Sequence, residues 1–181
     1  MSLIGKWIDL IYKVATGSAR YRLMFAPVVG LLYLAFIGFF VVVSFRIDRL
    51  FDLPEFIPAP FDLIAGVPLI AFGFLVMAYS VFHFARVRGT PVPLSPPPRL
   101  VTSGPYRYAR NPMLTGIFLQ LFGIALVRNS LSLLLVFTPL FIAINVWELK
   151  MVEEPELEKR LGREYADYKK SVPMFFPWRK Q

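Results

Sequence analysis

An all-α, integral-membrane fold is what this 181-residue sequence predicts, with about four transmembrane helices, a helical hairpin and a C-terminal cytoplasmic amphipathic helix. Three observations carry that reading. Hydrophobic residues make up 56% of the chain and its mean hydropathy is +0.57, too high for a soluble domain of this length. Uncharged stretches approach the roughly 20 residues that a bilayer span needs: Met24 to Phe45, Leu63 to Phe82, Pro112 to Val127 and Asn129 to Trp147. Basic residues are segregated, with four in residues 1–23, five in 86–110 and eight in 148–181, against only Arg46, Arg49 and Arg128 on the other side. Lysine and arginine are retained in the cytoplasm, so both termini are expected there.

The net charge of +8 then reflects topology and attraction to anionic lipid more than a nucleic-acid partner. No cysteine is present, which removes disulfides, thiolate nucleophiles and thiolate metal sites. With His83 as the single histidine, no metal centre is expected either. The first apolar run is too long for a signal-peptide core and is read as a permanent span.

Each element follows in order. Leu3, Ile4, Trp7, Leu10, Ile11 and Val14 recur at helical spacing with Lys6, Asp9 and Lys13 between them, which predicts an interfacial amphipathic helix over residues 1–22. Residues 24–85 hold the first two spans, joined by the short outer loop 46–61. Seven prolines between Pro91 and Pro112 exclude a regular helix and predict a stiffened strap. The last two runs are separated only by Arg128 and read as a tight hairpin, with Arg107 and Arg110 at headgroup level. Glu153-Glu154-Pro155 predicts a break, because proline suits the first turn of a new helix. Beyond it, Leu157, Leu161, Tyr165 and Tyr168 form one stripe of a surface helix.

Polar residues within apolar spans cost free energy unless they face protein or a cavity. Thr138, Asn145 and Glu148 share one face of the fourth span, and Met113, Gly116 and Gln120 one face of the third. Interhelical hydrogen bonding, about 0.6–2 kcal/mol per contact, and a functional role both explain them. Arg107, Arg110 and Asn111 meet Glu148, Glu153 and Glu154 at the hairpin's cytoplasmic ends. One reading is interfacial ion pairing; the other is a zwitterionic ligand held between arginine and glutamate. His83 reads as an interfacial cap ahead of a proton carrier. Ala26 with Gly30 and Gly116 with Gly123 suggest close helix packing. Tyr106, Tyr108, Tyr165 and Tyr168 suit membrane-edge anchors or cation-stacking rings.

Residues 100–116, LVTSGPYRYARNPMLTG, followed after the hairpin by EEPELEKRLGREYADYKKSVPMFFP, resemble the integral-membrane family of isoprenylcysteine carboxyl methyltransferases and phospholipid N-methyltransferases. The prokaryotic branch looks nearest, and the strap GTPVPLSPPP is also similar to it. The resemblance covers about residues 86–178 and implies a cofactor-binding core at 86–181 within a single membrane domain, 1–181. It implies S-adenosylmethionine as cofactor, bound near Tyr106, Arg107, Arg110, Asn111, Pro112, Met113, Gly116, Gln120, Glu153, Glu154, Tyr165 and Tyr168, with a lipophilic acceptor reached from the bilayer. Two departures stand out: asparagine replaces the family's histidine at 111, and leucine stands at 114 where tyrosine is common.

Methyl transfer from a sulfonium needs alignment more than a metal or a covalent nucleophile, which agrees with a chain this poor in Cys and His. Arg110, Asn111 and Glu148 are the catalytic candidates, with Glu148 the proton acceptor if the acceptor is an amine. The acceptor itself stays open among a phospholipid amine, a prenyl-type carboxylate, a thiol and a quinone-like molecule, the first two leading. Two rivals stand beside this reading: an NADPH-dependent membrane reductase, since sterol reductases resemble the same C-terminal pattern, and a non-catalytic scaffold. The paired glutamates favour the methyl donor, because NADPH's extra phosphate calls for more basic residues. Monomer and homodimer are both open.

Overall fold

The computed structural model describes residues 3–17, 19–86 and 100–175. Most of the expected proline strap, residues 87–99, lies outside them, as does the end of the chain from residue 176. The described residues are helical and contain no strand: α1 (Leu3–Thr16), α2 (Ala19–Leu50), α3 (Phe61–Arg86), a 3₁₀ turn (Gly104–Arg107), α4 (Pro112–Val127), α5 (Thr138–Glu148), α6 (Glu154–Leu161) and α7 (Arg163–Ser171).

Three helical paths are long and apolar enough to cross a membrane: Pro27–Leu50, Phe61–Phe84 and Leu133–Leu161. Their outward faces carry Leu31, Leu32, Phe39, Phe72 and Leu75, all exposed, as lipid rather than water requires. Helix α4, the expected third span, has 16 residues; at 1.5 Å per residue it is about 24 Å long, short of the roughly 30 Å hydrocarbon core. It is the interior helix, with Thr115, Ile117, Phe118, Leu121 and Ala125 buried.

As expected of a hairpin, α4 turns at Asn129 into the helical path through Leu133–Phe137 and α5 and packs on it. Its most extensive packing is nevertheless along α3. Glycine causes this: Gly116 faces Gly73, and Gly123 faces Gly66, seven residues apart on each helix. A Cβ on Gly116 would lie 2.5 Å from the Gly73 carbonyl oxygen, and one on Gly66 would lie 2.7 Å from the Gly123 oxygen. Only glycine permits so close a backbone approach. On the other side of α4, Phe118 and Leu121 meet Phe40 of α2 and Phe141 of α5. Phe40 and Phe141 stack edge-on at 5.4 Å, and Phe118 stacks on Phe175 of the C-terminal segment at 5.3 Å. These geometries suit the aromatic quadrupole.

The turn between α4 and α5 is held by Asn129, which adopts φ 49°, a conformation asparagine tolerates. Its side chain exchanges hydrogen bonds with the Ile57 backbone, both at 2.9 Å. The Asp48 carboxylate accepts from the Ser130 hydroxyl and from the Ser132 N–H.

Leu133–Phe137 and Leu149–Glu153 are both wide π-turns, and each leads into a proline, Pro139 and Pro155. Proline has no N–H and its ring collides with the carbonyl four residues back; a π-turn shifts that carbonyl aside. The break expected at Glu153-Glu154-Pro155 is therefore a change of helical pitch, and the path continues to Leu161. The real interruption is Gly162, at φ 60°, which divides the expected stripe between α6 and α7. Tyr165 and Tyr168 are buried, whereas Leu157 and Leu161 are half-buried.

Candidate active site

Two polar groups lie where α4, α5, α6 and α7 meet, and the first is an ionic lock. After α7 the chain doubles back over the start of α4, where unpaired backbone N–H groups need acceptors. The Arg110 and Asn111 N–H groups donate to the carbonyls of Pro173 and Met174 at 2.9 and 3.0 Å, and the Thr115 hydroxyl donates to Phe175 at 3.3 Å. The Arg110 guanidinium joins the rest: Nη1 donates to Glu154 Oε1 and, at 3.3 Å, to the Tyr165 hydroxyl, while Nε donates to the Val172 carbonyl at 3.0 Å. Lys169 Nζ reaches the other Glu154 oxygen at 2.6 Å. The Arg110 and Glu154 side chains are only 10% and 5% exposed, so this is a buried, multiply bonded pair, the geometry in which ion pairing holds in low dielectric.

Burial pushes the Tyr165 phenol up to about 12, Glu154 adding to the effect and Arg110 opposing it. Hydrogen bonding to Glu154 holds the Lys169 ammonium above the ordinary lysine range. Tyr168 donates to the Tyr106 carbonyl at 2.7 Å, which fastens the 3₁₀ turn to α7.

The second group is a pair of acids, Glu148 and Glu153, outside the ionic lock. In a regular α-helix residues five apart sit about 140° apart around the axis, so Glu148 and Glu153 would diverge. The π-turn between them bonds i to i+5 and stacks residues at that spacing. Glu153 is half-buried and lies within electrostatic reach of Glu148, Glu156 and Glu154, with Arg160 the nearby cation that opposes them. Glu154 is paired as above and Glu156 is paired with Arg160 at 2.9 Å. Among the described residues neither Glu148 nor Glu153 has an ion-pair or hydrogen-bond partner. The Tyr33 hydroxyl lies within electrostatic reach of both acids and donates to Asn145 Oδ1 at 2.8 Å. The Tyr106 phenol is pushed upward by burial first, with Tyr168 and Glu153 contributing.

The structure thus brings together Arg110, Asn111, Glu154, Tyr165, Tyr168 and Tyr106 in one place, and Glu148 with Glu153 beside them. Arg107 is exposed and forms no hydrogen bond or ion pair among the described residues. Pro112 is buried at the first turn of α4 and Met113 is half-buried beside it. Gly116 and Gln120 lie on the α3 seam, where Gln120 Nε2 contacts Met77 Sδ at 3.7 Å. His83 caps as expected, its Nε2 2.8 Å from the Ser103 hydroxyl. Thr138 is fully buried, and its hydroxyl has no hydrogen-bond partner among the described residues. Tyr33 and Lys169 escaped the sequence reading. Tyr33 is the lone tyrosine of the first apolar run, and Lys169 falls four residues after Tyr165, the two signals that point to them.

No group of three metal-ligating side chains occurs among the described residues. Fold and site define an integral-membrane helical protein whose polar centre lies at one end of an apolar bundle. A family described as phospholipid methyltransferase matches residues 61–164, more than half of the chain, which belongs to that family of membrane methyltransferases. No curated protein and no solved structure matches it.

Proposed function

We propose that the protein transfers a methyl group from S-adenosylmethionine to a lipophilic acceptor held in the membrane, a phospholipid amine or a prenyl-type carboxylate. The observation that carries this is the pair Glu148 and Glu153, two acids within electrostatic reach of each other that form no ion pair among the described residues. A cationic sulfonium and ammonium suit such a pair, and the rings of Tyr33 and Tyr106 suit them as well. When bound, S-adenosylmethionine supplies an electrophilic methyl group.

The chain's own residues do the rest. Glu153 faces the donor's positive charge. Glu148 takes the proton that an amine acceptor must lose, a role a carboxylate acceptor leaves idle. Arg110, Asn111, Glu154, Tyr165 and Tyr168 are positioning residues: they hold the 3₁₀ turn and the C-terminal segment against α4. Pro112 and Met113 set the start of α4, and Gly116 and Gln120 serve the α3 seam. Residues 86–181 are the donor-binding core, and the basic end of the bundle faces the cytoplasm. A dinucleotide phosphate would meet Glu148 and Glu153 as like charges, so the reductase reading finds no support here.

The test is incubation of the detergent-purified protein with methyl-labelled S-adenosylmethionine and a total lipid extract. Label in the lipid fraction, reduced at least about tenfold by Glu153→Gln, is the expected result. No lipid-borne label, or equal label from the variant, overturns the proposal.

A further inference from the structure

Helix α1 has two faces with different tasks. Ile4, Ile8, Asp9, Ile11 and Tyr12 are half-buried, and this face packs on α6 and on the π-turn Leu149–Glu153. Lys159 of α6 fastens it, with Nζ 2.7 Å from Asp9 Oδ1 and 4.6 Å above the Tyr12 ring. The opposite face presents Lys6, Trp7, Leu10 and Lys13, all exposed, Trp7 by 60% and Leu10 by 50%. A tryptophan and a leucine between two lysines match a headgroup layer: apolar rings at the acyl boundary and ammonium groups against phosphate. The position fits too, since the first apolar span begins at Pro27, only a few turns beyond α1.

We propose that this outer face of α1 docks on the anionic headgroup layer of the protein's own membrane, and that bilayer charge thereby acts on the π-turn that aligns Glu148 with Glu153. The lipid contact stands apart from the methyl-transfer reading, whereas its effect on turnover rests on that reading.

The first experiment reads the contact alone. The chain has three tryptophans, so Trp147→Phe and Trp178→Phe leave Trp7 as the single reporter. The full-length protein is reconstituted in brominated phosphatidylcholine vesicles, with and without about one third phosphatidylglycerol. Trp7 quenching rises with the anionic lipid, and the rise disappears in Lys6→Glu/Lys13→Glu or at high salt. Two surface lysines change the docked-to-free ratio about tenfold or more. Equal quenching in both lipids, or an unchanged rise in the charge-reversed protein, overturns the proposal. Bromine-insensitive Trp7 emission that changes on diluting the protein in the bilayer would show a second copy on this face and overturns it equally. The second experiment reads coupling by methyl transfer. Asp9→Lys, which sets a cation against Lys159, keeps the Trp7 response but abolishes stimulation of turnover by anionic lipid; persistence of that stimulation refutes the coupling. No turnover in any lipid, with the Trp7 response intact, refutes the methyl-transfer reading and the coupling together and leaves the docking standing.

Discussion

Arg110 binds four parts of the chain: Glu154, Tyr165 and Val172 through its guanidinium and Pro173 through its backbone N–H. Removing one partner of a buried pair leaves the other charge uncompensated, which costs about 3–5 kcal/mol. Arg110→Ala and Glu154→Ala are therefore expected to lower the thermal midpoint strongly, while the double variant loses much less than their sum. Additive losses in that double-mutant cycle would show that the two side chains act independently. Glu153→Gln behaves in the opposite way. It keeps the fold, because that carboxylate holds nothing in place, and loses methyl transfer. The charged mouth of α4 was legible in the sequence as a cluster with two readings. That its arginine and one glutamate neutralise each other, while Glu148 and Glu153 stay unpaired, was not, since partner choice depends on how α7 and the C-terminal segment fold back.

At the scale of elements, the π-turn Leu149–Glu153 does what a straight helix could not. Pro155→Ala restores the missing N–H and is expected to let residues 149–155 relax to regular helix. Stability then holds or rises, while Glu153 rotates away from Glu148 and transfer falls by about 10²-fold, the scale of a small misplacement of reacting groups. Wild-type turnover in this variant would separate the π-turn from the chemistry. The α3–α4 seam allows a second element-scale test. Gly116→Val forces the Gly73 backbone aside and should cost about 1–3 kcal/mol by overpacking, read as a lower thermal midpoint in detergent; an unchanged midpoint would mean that the helices do not approach so closely. Hydropathy and proline spacing foretold the apolar helices, the outer loop and the terminal helices. They also pointed to a boundary at Pro155, but the pitch change was invisible because a proline after a helix more often starts a new one. The pairing of α4 with α3 was hidden for a related reason: Gly116 and Gly123 announced a close contact without naming its partner, and Gly66 and Gly73 were the matching half.

For the whole molecule, alkaline pH is the informative variable. Tyr165, pushed up to about 12, and Lys169, held above its ordinary range, both have higher pKa values folded than unfolded. Both therefore stabilise the fold fully below their unfolded values, about 10 for each, and lose that contribution as pH rises through the folded values. The thermal midpoint is expected to stay level from neutrality to about pH 9 and to fall between about 10 and 12. Tyr165→Phe should shallow that fall, and an identical alkaline limb in the variant would contradict the assignment. Lys169 is 37% exposed, so solvent screening leaves it the smaller share. The same end of the bundle that gathers the lock also gathers α1 and the Glu148–Glu153 pair, so the proposed donor site belongs to the assembled end rather than to any one helix. The most direct measurement is calorimetric titration of the purified protein with S-adenosylmethionine and S-adenosylhomocysteine, beside NADPH, repeated with Glu153→Gln. Saturable binding of both methyl-donor forms, weakened at least about tenfold in the variant, with none for NADPH, is the expected result. Binding of NADPH alone, or wild-type affinity in Glu153→Gln, would contradict it.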